Sequence, residues 1–298
     1  MKDVLIKIAY DEKGHLVIAK DAVKGNKYFC PECGEELIYK NSGKSGPGSR
    51  CPHFAHKGGG HNCDPESVLH AVFKKEAATL LNSFLNEKKA FVVDWRCRVC
   101  NTPYSGNLLY CTKTISVEYD MKVCRPDIAL LDDSGKVRVA LEVVYTHSPE
   151  ENTLAFYREN GIVLVQYNVH PEDLPRLVEK LHKPDVVSLC LNKKCSGFTS
   201  NMLDRHLVED IASCRSCGKQ SNVFYIEYSS ALGLVLFNKL EKNDLLELEK
   251  RGITADMLMD VTFSKYNCSF NAVATKCLCK PKVVIQLPRP RIRRKYPL

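Results

Sequence analysis

The sequence contains no long hydrophobic run. Its longest, residues 231–237, is far shorter than the ~20 apolar residues that a membrane-spanning helix needs. Residues 1–5 likewise have no long apolar segment behind their charges, so the pattern of a secretory signal is missing. We therefore expect a soluble, cytoplasmic protein.

The chain also lacks the features of a disulfide-stapled scaffold. It has 15 cysteines, an odd number, so at least one thiol would stay free if the others formed disulfides. Disulfide-rich scaffolds are usually secreted and shorter than 298 residues. Three Cys-x-x-Cys pairs, which begin at Cys30, Cys97 and Cys214, instead have the spacing of metal knuckles. The cysteines therefore predict structural zinc.

The net charge of the chain is positive but moderate. There are 43 Lys and Arg residues against 35 Asp and Glu residues, which gives a formal charge of +8. A zinc ion held by four thiolates carries about −2 overall, so two such sites would reduce the balance to roughly +4. The positive sign favours a nucleic acid as partner, but net charge says nothing about the fold.

Changes in composition along the chain predict four regions. Residues 1–63 show a hairpin pattern and then the first cysteine pair, which indicates a small zinc knuckle. Residues 64–184 hold the helices and strands of a core. Residues 185–286 are rich in cysteine and polar loops, with one strand and one acidic helix, and residues 287–298 are a basic tail.

A helix is predicted over residues 64–85. Asp64 can cap its free amide groups, and Pro65 fits its first turn. Three polar side chains recur along it at intervals of four residues, which places them in one stripe on its surface. They are Glu66, His70 and Lys74.

The remaining elements of the core predict a sheet with helices on it. Residues 91–93 and 114–117 predict strands, and residues 149–160 predict a helix. Residues 162–167 form a continuous apolar strand, which suits a sheet covered on both faces. We therefore predict an α/β (α+β) protein in which helices flank a sheet.

Two acidic residues lie in a predicted hairpin of this core. Residues 126–131 and 137–145 predict its strands, with Asp127 in the first and Glu142 in the second. Glu142 is surrounded by apolar residues, so its charge needs a ligand or a partner if the strand is buried. If the register brings the two carboxylates together, they can bind Mg²⁺ or Mn²⁺, with Glu66 as a third ligand or as a base.

Taken in order, these residues resemble a known family. The order is Cys-x-x-Cys, His-Phe-x-His, Glu-Ser-x-x-His-x-x-x-Lys, Arg-Pro-Asp and Leu-Glu, within residues 28–168. It resembles the competence protein CoiA-like nucleases, a branch of the PD-(D/E)xK superfamily. The resemblance implies a zinc-binding amino-terminal region and a mixed, restriction-endonuclease-like sheet with an early helix that supplies Glu66. It also implies metal-dependent cleavage of DNA by Asp127 and Glu142.

The sequence departs from the superfamily at one position. The usual lysine, two residues after the second acidic residue, is Val144 here, and valine can neither orient water nor offset charge on phosphorus. Either Lys74 does this work, with His70 assisting, or the site is inactive. The first alternative predicts a nuclease that hydrolyses DNA phosphodiester bonds. The second predicts a nucleic-acid-binding or adaptor protein with a nuclease fold.

The zinc ligands are predicted in pairs. Cys30 and Cys33 most naturally close with His53 and His56. Three further residues lie near enough in sequence to compete for this site, namely Cys51, His61 and Cys63.

For the other two Cys-x-x-Cys pairs, the sequence does not fix which cysteines complete the metal site. Cys97 and Cys100 can close with Cys111 and Cys124, although Cys124 can instead be a buried apolar thiol. The alternative pair for this site is Cys190 and Cys195. In that arrangement Cys214 and Cys217 form a third site with Cys277 and Cys279.

Basic residues indicate where a nucleic acid would contact the chain. Arg125 precedes the strand of Asp127, and the tail contains Arg291, Arg293 and Arg294 without an acidic residue. The predicted partner is DNA, single- or double-stranded. The carboxyl-terminal region leaves room for a protein partner.

Overall fold

The computed structural model describes residues 5–41, 51–57, 63–146 and 148–276, together with the backbone of residues 283–286. The chain divides into two units, Met1–Phe198 and Thr199–Leu298. This division falls later than the predicted boundary near residue 184, because Cys190 and Cys195 lie beside Cys97 and Cys100 in the first unit.

A five-stranded sheet begins the chain. Its strands are β1 (Ile8–Asp11), β2 (Leu16–Ile18), β3 (Tyr28–Phe29), β4 (Glu36–Lys40) and β5 (His53–His56), in the order β2-β1-β3-β4-β5. The predicted hairpin is β1 with β2. The rings of Tyr28, Tyr39 and Phe54 lie with their centroids 5.0 to 6.3 Å apart, so aromatic packing holds this small sheet together.

The helix predicted from residue 64 is α1 (Pro65–Asn86). The carboxylate of Asp64 caps it by accepting a hydrogen bond from the amide of Ser67 at 3.2 Å. One face is buried, and the ring centroid of Phe73 lies 5.9 Å from that of Tyr167 in the next sheet. This packing places the polar stripe of α1 beside that sheet.

A hairpin and a second sheet follow α1. The hairpin pairs β6 (Val92–Arg96) with β7 (Pro103–Asn107). The sheet consists of β8 (Thr114–Val117), β9 (Ile128–Leu131), β10 (Val137–Val144), β11 (Val163–Asn168) and β12 (Val186–Val187), in the order β12-β11-β10-β9-β8. Strands β10 and β11 run parallel and the other neighbours run antiparallel, so the sheet is mixed.

Helices cover both faces of the second sheet. Helix α2 (Glu151–Glu159) connects β10 to β11, and its Tyr157 packs with Ala140 and Leu164, whereas α1 contacts Tyr167. Leu164 and Tyr167 are three residues apart on one strand, so their side chains leave opposite faces. A short helix, α3 (Leu177–His182), follows β11. In the described part of the chain, no helix is both long and apolar enough to cross a membrane.

The second unit is mostly β-structure. Its strands are β13 (Leu203–Cys214), β14 (Gln220–Ser230), β15 (Val235–Asn238), β16 (Leu258–Lys265), β17 (Cys268–Thr275) and β18 (Val283–Gln286), and α4 (Lys242–Lys250) lies between β15 and β16. The order is β13-β18-β16-β17-β14-β15. Because β13 also pairs with β14, five of these strands close into a ring. The described residues thus form a mixed α+β protein with several sheets and few helices.

Long strands replace the polar loops predicted for this unit. The sequence-based prediction includes the centre of β14 and includes α4, but it misses the other five strands, which are β13, β15, β16, β17 and β18. In β16 the buried residues Val261 and Phe263 alternate with more exposed ones and pack with Tyr225. This period of two is the signal that could have predicted the strand.

Candidate functional site

Four potential metal ligands converge beside the first sheet. They are Cys30, Cys33, His56 and Cys63, and their donor atoms lie within 4.8 Å of one another. The turn at Cys30 has two supporting hydrogen bonds, from the amide of Gly34 to the carbonyl of Cys30 and from the amide of Cys30 to the carbonyl of Glu35, both at 2.8 Å. Three thiols and one imidazole suit tetrahedral zinc, so this first cluster can hold a metal ion such as zinc.

His53 is not part of the first cluster, contrary to the prediction. His53 and His56 are three residues apart on β5, so their side chains leave opposite faces of the strand. The Nδ1 atom of His53 lies 2.9 Å from the carbonyl oxygen of Cys51, and the side chain is buried. Cys63 takes the fourth position instead, while His61 lies outside the described residues.

A second cluster joins two distant segments of the first unit. It consists of Cys97, Cys100, Cys190 and Cys195. The Sγ atoms of Cys97 and Cys195 are 3.9 Å apart, and those of Cys100 and Cys190 are 3.8 Å apart. Four cysteines at this spacing can also hold a metal ion such as zinc.

The alternative partners of this second cluster lie elsewhere. Cys111 and Cys124 are not among its members. Cys124 packs instead against the apolar residues around Tyr157, as expected of a partly buried thiol. Of the two arrangements that the sequence leaves open, the structure has the one with Cys190 and Cys195.

The turn at the third Cys-x-x-Cys pair has the same backbone hydrogen bonds as the turns at the first two. The amide of Gly218 donates to the carbonyl of Cys214 at 2.8 Å, and the amide of Cys214 donates to the carbonyl of Lys219 at 2.9 Å. These bonds repeat those of the Cys30 turn at equivalent positions. Several predicted residues lie outside the described part of the chain, namely Cys277, Cys279, Arg291, Arg293 and Arg294.

The register of β9 and β10 brings Asp127 and Glu142 side by side. Leu141 pairs with Ile128, and Asp127 directly precedes β9, so the next pair along the two strands is Glu142 with Asp127. The Oδ2 atom of Asp127 accepts a hydrogen bond from the amide of Val143 at 2.8 Å. This bond fixes the Asp127 carboxylate against β10, at one end of the second sheet.

Glu142 is a buried carboxyl group that ionises near neutral pH. Only 9% of its surface is exposed, and the phenol of Tyr157 donates a hydrogen bond to its Oε1 atom at 2.5 Å. Burial raises the pKa of Glu142 to about 7, and the negative charge of Asp127 adds to this rise, whereas the bond from Tyr157 opposes it. A nearby cation would stabilise the ionised form of such a carboxyl group.

Lys74 brings a positive charge to the same end of the sheet. Its ammonium group lies 3.3 Å from Oδ1 of Asp127 and 2.6 Å from Oε1 of Glu118. Burial acts to lower the pKa of Lys74, but Glu118 and Asp127 outweigh it, and the pKa is raised. Lys74 therefore stays charged beside the carboxylates.

Glu66 and His70 lie on the same stripe of α1. Glu66 accepts hydrogen bonds from Thr146, from the amide at 3.3 Å and from the hydroxyl at 2.5 Å. The Nε2 atom of His70 is 4.0 Å from Oε1 of Glu66, is buried, and makes no hydrogen bond within the described structure. Burial lowers the pKa of His70, so its ring is neutral at physiological pH and can accept a proton.

The three carboxylates do not form a ready-made metal cage. Among the described residues, only the two cysteine-containing clusters bring three or more ligand atoms within 4.8 Å. Glu66 is held by Thr146, so its carboxylate must move closer to Asp127 and Glu142 before all three can bind one ion. Val144 is buried and supplies no charge to this end of the sheet.

Sequence reasoning missed three residues that hold this site together. Thr146 binds Glu66, Glu118 binds Lys74 and Tyr157 binds Glu142. Tyr157 lies 15 residues after Glu142 and reaches it only because α2 packs on the sheet. The sequence did offer one signal for this contact. A tyrosine on the apolar face of a helix can reach a buried glutamate in the strand that precedes the helix.

Comparison with known proteins gives one partial match. A domain of unknown function (DUF7828) matches residues 4–62, which include the first sheet and the knuckle at Cys30. No curated protein and no solved structure matches the chain. The match covers less than half of the chain and none of the carboxylate site, so it assigns neither a family nor a function to the whole.

The pKa of Glu142 predicts how the stability of the metal-free site depends on pH. A carboxyl group whose pKa is about 7 in the folded state, above its ordinary value of 4.5, holds its proton more tightly when folded. Its contribution is therefore fully present at low pH and is lost as the pH rises through about 7, by up to about 3 kcal/mol in total. The free energy of unfolding, measured with urea between about pH 5 and pH 7.5, should fall with pH in the wild type and level off above about pH 7.

The variant Glu142→Gln isolates this group from other titrations, including that of His70. Glutamine keeps the size of the side chain but cannot ionise, so the difference in unfolding free energy between variant and wild type should increase with pH. Both proteins are measured with zinc bound and without added magnesium. A difference that stays constant across this range would show that Glu142 has an ordinary pKa.

Proposed function

We propose that the protein is a metal-dependent nuclease that hydrolyses DNA phosphodiester bonds at this end of the second sheet. The observation that carries the proposal is the meeting of Asp127, Glu142 and Lys74. Two carboxylates adjoin there, one of them buried, and an ammonium group lies 3.3 Å from the other. Perturbed ionisable groups that converge in this way are typical of catalytic sites.

The proposal includes a PD-(D/E)xK, restriction-endonuclease-like fold for the second sheet. The resemblance to CoiA-like nucleases implies a mixed sheet and an early helix that supplies Glu66. In support, α1 carries Glu66 at its amino-terminal end, and the mixed sheet that follows carries Asp127 and Glu142. The zinc-binding amino-terminal region that the resemblance implies is matched by the first cluster.

Each residue has a role that its surroundings permit. Bound Mg²⁺ or Mn²⁺ would polarise the phosphate and lower the pKa of an attacking water. Asp127, Glu142 and Glu66 offer the oxygen ligands that such hard cations prefer. Lys74 offsets negative charge on the phosphate in place of the lysine that Val144 replaces, and neutral His70 accepts a proton from water. Zinc in the cysteine-containing clusters would be structural, because their ligand sets are closed.

A non-catalytic nucleic-acid-binding or adaptor protein is the second candidate. Val144 favours it, because this residue is buried and apolar where the superfamily has a lysine. In this role the fold would present Arg125 and other basic residues to DNA. Either role suits the cytoplasm, where thiolates remain reduced and available to zinc.

The first test is cleavage of labelled single- and double-stranded DNA by zinc-loaded protein with Mg²⁺ or Mn²⁺. The wild type should cleave, and Asp127→Asn should reduce the rate by about 10³-fold, because it removes a metal ligand and the partner of Lys74. Asp185→Asn is a matched control. Like Asp127, Asp185 accepts a hydrogen bond from a backbone amide of a neighbouring strand, at 2.8 Å, and forms an ion pair with a lysine, Lys180, at 2.9 Å.

The outcomes separate the candidates. Loss of cleavage in Asp127→Asn but not in Asp185→Asn supports the nuclease. Equal rates in all three proteins would mean that the cleavage comes from another site or from a contaminant. A wild type that retains DNA in a salt-dependent manner without cleaving it selects the second candidate, and a wild type that does not bind DNA contradicts both.

A further inference from the structure

Glu118 lies between two cations at the edge of the carboxylate site. Its Oε1 atom is 2.6 Å from the ammonium nitrogen of Lys74, and its Oε2 atom is 4.0 Å from Nη1 of Arg125. The side chains of Glu118 and Arg125 are 51% and 60% exposed, whereas that of Lys74 is only 13% exposed. The Glu118 carboxylate therefore reaches a mostly buried ammonium group from the solvent side.

The backbone keeps Glu118 next to Asp127. The amide of Glu118 donates to the carbonyl of Asp127 at 3.0 Å, directly after the end of β8. Lys74 thus bridges a carboxylate inside the site, Asp127, and one at its edge, Glu118. A negative group that approached Lys74 from solvent would have to take the place of the Glu118 carboxylate.

A groove runs from this ion pair along α1. It has a volume of about 450 Å³, and Lys74 and Glu118 are part of its lining. Its other lining residues are one further cation, Lys75, and small, apolar or polar residues, namely Ala71, Ala78, Thr79, Asn82 and Val117. The volume falls within the range of ligand sites. A strand bound at Asp127 therefore has room to continue beside Lys74.

We propose that Lys74 and Arg125 form a binding site for a phosphate of a nucleic-acid strand, and that Glu118 occupies this site until the strand displaces it. The proposal rests on the proposed function for its location, since Lys74 also serves the carboxylate site. Carboxylate and phosphate oxygens accept hydrogen bonds from the same lysine and arginine donors, so one can stand in for the other.

The exposure of Glu118 makes the exchange feasible. An ion pair whose carboxylate is half exposed contributes little to stability, because water solvates the released group. A strand brings the same charge to Lys74 and adds contacts along the groove. Glu118 therefore keeps Lys74 paired in the free protein and competes with the strand for it.

The test is the affinity of Glu118→Gln for a labelled single-stranded oligonucleotide, measured by fluorescence anisotropy. Magnesium and manganese are left out, and the buffer is freed of divalent cations on a resin before the zinc-loaded protein is added, so that zinc stays bound and nothing is cleaved. Glutamine keeps the length of the side chain but removes the competing charge, so the Kd should fall about fivefold, as expected for the loss of one exposed ion pair. Arg125→Ala should raise the Kd. When both substitutions are combined, the fall in Kd caused by Glu118→Gln should be smaller.

The matched control is Glu151→Gln. It makes the same change in net charge and breaks an exposed ion pair, with Arg158 at 3.6 Å, on helix α2. Its Kd should equal that of the wild type. Zinc content and the midpoint of unfolding, measured for each variant, establish that each is folded.

The results distinguish this inference from the proposed function. A Kd of Glu118→Gln equal to or above that of Glu151→Gln overturns the phosphate site, whether or not the wild type cleaves DNA. Tighter binding by Glu118→Gln, in a protein that never cleaves, supports the phosphate site and contradicts the nuclease. Loss of cleavage without tighter binding would make Glu118 part of the catalytic site and would contradict the displacement.

Discussion

Substitution of Cys190 by serine is expected to remove one zinc ion per chain and to destabilise the first unit by about 5 kcal/mol or more. A structural zinc site contributes on the order of 10 kcal/mol of apparent binding free energy, and this becomes folding free energy because the unfolded chain has no preformed site. A hydroxyl group is a poor replacement for a thiolate, so the ion would be lost or weakly held.

The position of this second cluster explains why the effect should be large. Cys100 and Cys190 are 90 residues apart in sequence, and the second sheet lies between them. Two aromatic residues brace the same junction. The indole of Trp95 donates to the carbonyl of Leu189 at 3.1 Å, and the hydroxyl of Tyr104 accepts from the amide of Leu191 at 3.0 Å. Without the metal, hydrogen bonds such as these would have to hold the junction closed.

Zinc content by elemental analysis and thermal unfolding by circular dichroism check this prediction. The wild type should contain at least two zinc ions per chain, one for each cysteine-containing cluster. Cys268→Ser is the control, because Cys268 is exposed and belongs to neither cluster. If Cys190→Ser kept its full zinc content and its unfolding midpoint, the second cluster would not be a zinc site.

Replacement of Lys74 by alanine should lower the rate of DNA cleavage by about 10²- to 10³-fold, the usual cost of losing one group that stabilises charge in the transition state. Val144 leaves the strand without a lysine, and Lys74 is the cation that contacts Asp127. Its effect should include a fall in kcat, because the charge that it offsets is greatest in the transition state, and a rise in KM, because the same ammonium group would also bind a phosphate of the strand.

The matched control for this variant is Lys180→Ala. Lys180 is also mostly buried, with 18% of its side chain exposed, and it also pairs with an aspartate, Asp185, at 2.9 Å. Its loss should change stability slightly and leave kcat unchanged. A rate for Lys74→Ala that matched the rate for Lys180→Ala would assign Lys74 a structural role only and would leave the missing lysine unexplained.

Several elements of the first unit were predictable because their signals are local. The strand β8 occupies the predicted residues, and α1 begins after Asp64, whose carboxylate caps it as the sequence indicates. The hydrophobic patterns of β10 and β11 were strong enough to place both strands. The second unit was harder to predict, because β13 has many exposed polar residues and little apolar pattern.

At the metal clusters, the prediction of His53 was wrong, and the partners of Cys97 and Cys100 were left open between two pairs, for a different reason. The spacing of His53 and His56 resembles a ligand pair, but both lie on a strand, where an odd spacing sends side chains to opposite faces. The choice of Cys190 and Cys195 over Cys111 and Cys124 depends on where the chain returns after β12. Neither the strand nor the return path can be deduced from the spacing of the cysteines.

The sequence by itself determined which metal-binding and charged groups are available in this protein. Each Cys-x-x-Cys turn is built from hydrogen bonds within about six residues, and the stripe of Glu66, His70 and Lys74 follows from the pitch of one helix. Such features depend on neighbouring residues, so they can be deduced before any fold is known.

Only the tertiary structure decided which of these groups meet. The pairing of Asp127 with Glu142 depends on the register of two strands, and the bond from Tyr157 depends on how α2 packs on them. The position of Glu118 at Lys74 joins an edge strand to a helix. These contacts form between segments far apart in the chain, where packing of the whole unit, rather than local preference, fixes the distances.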